Sequence, residues 1–212
     1  IIWANLDLTI FTLTSVTGGT ITAQNASASN GDIVLAAGAS LTASGAGNAV
    51  VLAAGDQFIN NAGTTPIATP SGRFMIYSQN WGSDTRGGIA ANNLYNRTYG
   101  ANPPASISEA GNLFIYAAQP LLTVTANAAS RIYGATNPAF SAGITGLVNG
   151  DSAVYAYAGT PGFSTTTTAS SSVGTYVGDI LPSLGTLASS VGYGFSYVGG
   201  NLTINQAPLT VT

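Results

Sequence analysis

Seven carboxylates, Asp7, Asp32, Asp56, Asp84, Glu109, Asp151 and Asp179, are the side chains of this 212-residue chain best able to act as bases or hold a cation, because it contains no His, no Lys and no Cys. A nucleophilic Ser or Thr needs a base beside it, and here neither imidazole nor amine is present to serve. Thiolate and imidazole metal sites are excluded for the same reason. A Lys-based crosslink, Schiff base or phosphate-loop lysine is excluded as well. Four acids directly follow a glycine, in Gly31-Asp32, Gly55-Asp56, Gly150-Asp151 and Gly178-Asp179. Gly-Asp is turn chemistry, since Gly supplies positive φ and the Asp oxygen bonds nearby backbone N–H groups. The one metal site the pattern allows is Ca²⁺ between Asp32 and Asp56 on neighbouring coils, completed by carbonyl oxygens. No spacing supports a pair of glycosidase carboxylates. The residues therefore predict no catalytic group and no cofactor.

The four cations are all arginines, Arg73, Arg86, Arg97 and Arg131. Four scattered charges cannot neutralise a run of phosphates, which argues against nucleic acid as a partner. Two of them lie in the cluster Trp81, Arg86, Tyr95, Arg97 and Tyr99, within the longest loop-rich stretch. Aromatics with Arg favour contact with a partner or a glycan. The same residues also suit a cap, in which the rings cover the last coil of a stack and Arg pairs with Asp84 or Glu109. A second set, Tyr133, Gly134, Asn137, Pro138, Gly150 and Asp151, reads as turns with a packed Tyr.

Charged residues make up only 5% of the chain and hydrophobic ones 45%, against about 25% charged in ordinary soluble domains. A net charge of −3 with this apolar content predicts a folded chain. Gly and Pro break most windows while Thr and Val fill them, so strands and turns are expected throughout. Leu6-Asp7-Leu8-Thr9-Ile10 alternates, and the phase slips at Ile10-Phe11, which predicts a bulge or corner there. No apolar run reaches the length needed to cross a bilayer as a helix. The opening Ile1-Ile2-Trp3-Ala4 lacks Met and basic residues, and both ends read as internal to a longer protein.

Ile33-Val34-Leu35-Ala36-Ala37-Gly38 recurs 17 residues later as Val50-Val51-Leu52-Ala53-Ala54-Gly55, and Ile21-Thr22-Ala23 matches Leu41-Thr42-Ala43 at a spacing of 20. Units so short cannot bury their own apolar faces and must stack. We expect the 17-residue copies to lie one above the other. The fold class expected is all-β, a short right-handed parallel β-solenoid followed by a small β-sandwich or β-grasp-like domain. Gln119 with Leu122-Thr123-Val124-Thr125 returns 87 residues later as Gln206 with Leu209-Thr210-Val211-Thr212. The expected domains are a solenoid end over 1–78, a loop-rich cap over 79–119, a small β-domain over 120–206, and the first strand of a further repeat over 207–212. Strands are expected around 143–148, 174–180, 193–198 and 201–205.

The first half, with Gly38, Gly55, Gly72-Arg73-Phe74-Met75-Ile76-Tyr77-Ser78, Asp84-Thr85-Arg86-Gly87-Gly88 and Tyr99-Gly100, resembles the end of the β-helical shaft of filamentous-haemagglutinin-like adhesins of the two-partner secretion type. Residues 121–206 resemble the MBG-type repeats of such proteins, in the variant with Tyr-Gly near its start. That match is carried by Leu122–Ala126, Ile132–Pro138, Gly146–Asp151, Val173–Tyr176 and Gly200–Ile204. The resemblance implies export to the bacterial cell surface and a structural or adhesive role without catalysis. Its expected partners are neighbouring repeats, identical subunits, surface glycans or host proteins. A self-assembling filament joined by strand addition and a carbohydrate-binding module are the alternatives.

Overall fold

The computed structural model describes residues 2–4, 7–14, 18–25 and 30–209. The chain divides into two compact units, 1–119 and 120–212. The fold is all-β, and the only α-helix among the described residues is the single turn Ala153–Ala156.

Among the described residues, unit 1 contains ten strands: β1 (Ile2–Ala4), β2 (Leu8–Thr14), β3 (Ile21–Asn25), β4 (Ile33–Thr42), β5 (Gly47–Ala53), β6 (Phe58–Asn60), β7 (Ile67–Ala68), β8 (Gly72–Ser78), β9 (Asn92–Leu94) and β10 (Leu113–Tyr116). One sheet has the order β1-β3-β5-β8-β10-β9, and the other runs β2-β4-β6 with β7 also beside β4. Every pairing in both sheets is parallel. From β1 to β8 the chain passes back and forth between the sheets, laying each circuit against the one before.

The period of these circuits corrects the expected stacking. Leu8 lies beside Ile33 and Ile33 beside Phe58, a step of 25 residues each time. Val50 lies between Ile21 and Phe74 in the opposite sheet. The 17-residue copies therefore occupy opposite walls, and so do Ile21 and Leu41 at their spacing of 20. Both walls need the same residues, a short apolar run followed by a corner, so one half-circuit looks like the other. Periodicity alone does not tell a half-circuit from a whole one.

The phase slip at Ile10-Phe11 is a corner. The β2–β4 register jumps there from Ile10↔Leu35 to Thr12↔Ser40. On β4 the same corner falls at Gly38, with φ 75°, a conformation Gly adopts without a Cβ penalty. Phe11, outside the bend, is 69% exposed. Between the walls Ile33, Leu35, Leu41, Val50, Leu52 and Phe58 are fully buried. Each such side chain contributes roughly 1.5–3 kcal/mol of transfer free energy. Circuits approach so closely at Gly72 that a Cβ would come within 2.6 Å of the Gly45 carbonyl oxygen.

Unit 2 contains β11 (Leu121–Ala126), β12 (Ala129–Ile132), β13 (Ala142–Thr145), β14 (Gly162–Ser164), β15 (Gly174–Ser183), β16 (Gly194–Val198) and β17 (Gly200–Asn205). They form two small sheets, β13-β11-β16 and β12-β17-β15-β14. The four strands expected between the copies are present as β13, β15, β16 and β17, with β12 and β14 in addition. Part of the core is Ala126, Ile180 and Leu202, with Phe140 and Phe163 packed against it.

The chain has no cysteine, so introduced pairs test the register directly. Val34 and Ile59 are paired residues of adjacent parallel strands, about 4.8 Å apart and within disulfide reach. Val34→Cys with Ile59→Cys crosslinks on mild oxidation of the folded protein, whereas Val34→Cys with Val51→Cys stays reduced. The opposite result would restore the 17-residue stack.

Candidate functional site

At the closing end of unit 1 the last circuit is finished out of order. β9 is outermost, and β10, later in sequence, lies between it and β8. Side chains alternate faces along a strand. The Phe114 ring meets Phe58 of the opposite sheet at 5.8 Å, so Phe114 and Tyr116 point inward while Leu113 and Ile115 point outward. All four are fully buried. This stretch is covered on both faces.

The inner face carries a stack of rings. Phe114 stacks on Tyr116 at 6.1 Å, and Tyr116 on Tyr95 at 5.6 Å. Trp81 meets Tyr95 edge-on at 5.5 Å and Tyr116 at 6.4 Å, a geometry that aromatic quadrupoles favour. The Arg86 guanidinium lies 3.9 Å from the centre of the Phe114 ring and donates to the Asn93 side chain at 2.9 Å and the Ala91 carbonyl at 3.1 Å. Its charge is held by a π-face and neutral oxygens.

The outer face is covered by residues 97–109. Tyr99 meets Tyr77 edge-on at 5.2 Å, and its hydroxyl accepts from the Gln24 side chain at 2.5 Å. Tyr77 donates to the Asn102 carbonyl and Asn48 to the Pro104 carbonyl, at 2.9 and 3.0 Å. Arg73 donates to the carbonyls of Ile107 and Glu109 and, at 2.7 Å, to Asn48. Arg97 pairs with Glu109 at 2.6 Å, and this bond holds the Glu109 carboxyl below its usual range. Burial, with Tyr99 alongside, pushes the Tyr77 hydroxyl above its usual range.

The predicted cluster is thus split. Trp81, Arg86 and Tyr95 belong to the inner stack, and Arg97 and Tyr99 to the outer strap. Tyr95 has no exposed surface, so it supports the coil from within.

The acids act as extensions of the backbone ladder. Asp7 accepts from the Asp32 N–H, Asp32 from the Gln57 N–H, and Asp84 from the Phe58 N–H, at 3.0, 3.0 and 2.9 Å. Asp32, proposed with Asp56 for Ca²⁺, therefore spends an oxygen on the next circuit. No group of three or more acids converges among the described residues. The 25-residue spacing of Asp7, Asp32 and Gln57 was a signal in the sequence that the shorter repeat masked. Asp84 also accepts from the Ser78 hydroxyl at 2.7 Å. Burial is the largest influence on it and, with Asp56 nearby, outweighs these bonds and Arg86, raising its carboxyl to about 6. A cavity of about 210 Å³ lined by Thr64–Ile67, Phe74, Ile89, Ala90 and Asn112 carries no ionisable side chain.

In unit 2, sequence reasoning missed Arg131, which is only 7% exposed. It donates to the Asn137 side chain at 2.6 Å and to the carbonyls of Ile132 and Thr168, and Asn137 donates to the Thr167 carbonyl at 3.1 Å. Gly134, at φ 83°, donates to the Ala169 carbonyl at 3.2 Å. The Tyr133-Gly134 turn is thereby clamped to residues 167–169, with Tyr133 itself 47% exposed and Pro138 exposed in the segment that follows. Gly150, at φ 75°, precedes Asp151, which accepts from the Tyr193 hydroxyl at 2.8 Å.

Residues 122–203 match the family model of the MBG domain, YGX type. The Tyr-Gly turn clamped by Arg131 falls inside that match, and so do five of the described strands of unit 2 in full, β12 to β16. No curated protein and no solved structure matches the chain.

Asp84 in unit 1 and Asp179 in unit 2 respond oppositely to acid. Asp84 titrates near 6 when folded and near 3.8 otherwise, so the folded state holds the extra proton between those values. Asp84 therefore contributes on the order of 2 kcal/mol more to unit 1 as pH falls from 7 to about 4, against an opposing loss at Glu109, which Arg97 holds low, and Asp84→Asn removes the Asp84 contribution. Partial burial pushes the Asp179 carboxyl up, but bonds from Thr165, Thr166 and Thr167 outweigh it and hold it at about 2, below 3.8. Its contribution to unit 2 is present above pH 4 and is lost as pH falls towards 2. Both Trp residues, Trp3 and Trp81, lie in unit 1. Urea unfolding followed by Trp fluorescence and by far-ultraviolet dichroism separates the two responses.

Proposed function

We propose that this chain is a non-enzymatic structural segment of a secreted bacterial surface adhesin. Unit 1 is the closing end of a β-solenoid shaft of the filamentous-haemagglutinin type, and unit 2 is one MBG-type repeat of the stalk beyond it. The observation that carries the reading is the use to which the chemically capable side chains are put. Asp7, Asp32 and Asp84 brace backbone N–H groups between circuits, and Arg73 and Arg86 bind carbonyls and a ring. The MBG match over residues 122–203 supports a repeat-protein setting. Residues 207–212, which carry the Leu-Thr-Val-Thr of β11 again, begin a further repeat on this reading. The partners are then neighbouring repeats along the stalk, with host proteins or glycans met elsewhere on the adhesin.

A second reading rests on β1 and β2, which stand at the ends of their sheet orders and pair on one side only among the described residues. Such edges accept strands from another molecule, as in a filament of identical subunits.

Protease treatment of intact cells of the source bacterium, read with an antibody to unit 1, tests location. The chain is shaved from intact cells; recovery of the antigen only after lysis would end the surface reading. Fibres that form at high protein concentration and vanish on deletion of residues 1–14 favour the filament, whereas a persistent monomer favours the shaft. A glycan array on which binding depends on Trp81, the half-buried ring of the cap, would favour a carbohydrate-binding module instead.

A further inference from the structure

The two ends of unit 2 are joined to each other by a single parallel ribbon. β11 pairs with β16, from Leu121↔Gly194 to Thr125↔Val198, and β12 pairs with β17, from Ala129↔Leu202 to Ile132↔Asn205. Every one of these pairs is 73 residues apart, and the Thr123 and Ser196 hydroxyls bond at 3.1 Å across the same separation. The register is kept while both strands pass from one sheet to the other. At that crossing the backbones touch: a Cβ on Gly200 would stand 2.5 Å from the Ala126 carbonyl oxygen. Backbone bonds close both ends, Gly194 N–H to the Pro120 carbonyl and Tyr133 N–H to the Asn205 carbonyl, at 2.9 and 2.8 Å. Leu122, Val124, Leu202 and Ile204 are buried along it, which keeps water from replacing the ladder bonds on that side.

We propose that this ribbon is a mechanical clamp, and that unit 2 bears tension applied between its two chain ends. Segment 120–133 is pulled from its N-terminal end and segment 194–205 from its C-terminal end. Because the segments are parallel, those two points lie at opposite ends of the ribbon, and the force slides one strand along the other. All ladder bonds then resist together. In an antiparallel pair the same two points would lie side by side and the bonds would break one at a time. Residues 134–193 lie behind the clamp and carry no load until it yields. The proposal deepens the stalk reading by naming the load, yet it concerns the fold alone and is tested away from any cell.

The test is single-molecule pulling on the full chain, whose lack of cysteine lets introduced pairs define the handles. Gln119→Cys with Gln206→Cys loads the ribbon in shear. Thr136→Cys with Gln206→Cys pulls the adjacent C-terminal ends of β12 and β17 apart and peels them. Forced unfolding reads the unfolding barrier along the pulled direction. We expect the shear pair to yield at roughly twice the peeling force or more at one loading rate, in one step of about 300 Å for the 87 residues released. Matching melting curves show that each variant folds, and Ala139→Cys with Gln206→Cys replaces the peeling pair if Thr136→Cys does not. Equal forces in the two geometries, or shear extension through several small steps, would overturn the clamp. Neither result bears on whether the chain sits at a cell surface.

Discussion

The structure depends on parallel backbone ladders held in register almost without charge. Four arginines and seven acids serve 212 residues, so ion pairing cannot set the stacking of circuits. What sets it is the inward alternation of Ile33, Leu35, Leu41, Val50 and Leu52, all without exposed surface. A slip of one residue would turn these side chains out into water. The corners then fix where each strand stops, as Gly38 does on β4. Asp7, Asp32 and Asp84 extend the same ladder by accepting N–H groups from the adjacent circuit.

Where the stack closes, covering both faces brings polar groups into places that water would otherwise satisfy. Arg73, Asn48 and Tyr77 supply donors to the carbonyls of residues 102–109, so the strap holds without secondary structure of its own along most of its length. Arg86 is half-buried over the Phe114 ring and bonds neutral oxygens, and Arg131 in unit 2 is buried against amide and carbonyl oxygens. Guanidinium suits both places, because its planar fork meets several neutral acceptors at once. Arg73, Arg86 and Arg131 thus connect backbone, while Arg97 pairs with Glu109.

Much of this was legible beforehand, and for physical reasons. Alternation and its slip at Ile10-Phe11 are local signals and mark a corner. Gly-Asp pairs mark turns because both residues act on adjacent backbone. The 17-residue repeat misled, since opposite walls ask for the same residues, and the step of 25 from Leu8 to Ile33 to Phe58 was marked by Asp7, Asp32 and Gln57. Tyr95 stands among polar neighbours in sequence, Asn93, Asn96 and Arg97, and its burial depends on Trp81 and Tyr116, which lie far from it in sequence. Nothing local records that β10 enters between β8 and β9, or that 121–132 runs beside 194–205. Those are long-range pairings, and apolar alternation says which face a strand buries without naming its neighbour.

The insertion of β10 also orders events in time. β9 has β10 as its one ladder partner among the strands, and β8 keeps an open edge until β10 fills it. The rim of the stack therefore cannot be finished piecemeal as the polypeptide becomes available. Asn92–Leu94 has no ladder partner until residues 113–116 have arrived, although it was made earlier. A chain emerging from its N-terminus keeps its growing tip receptive for that interval, and one late tetrapeptide shuts it.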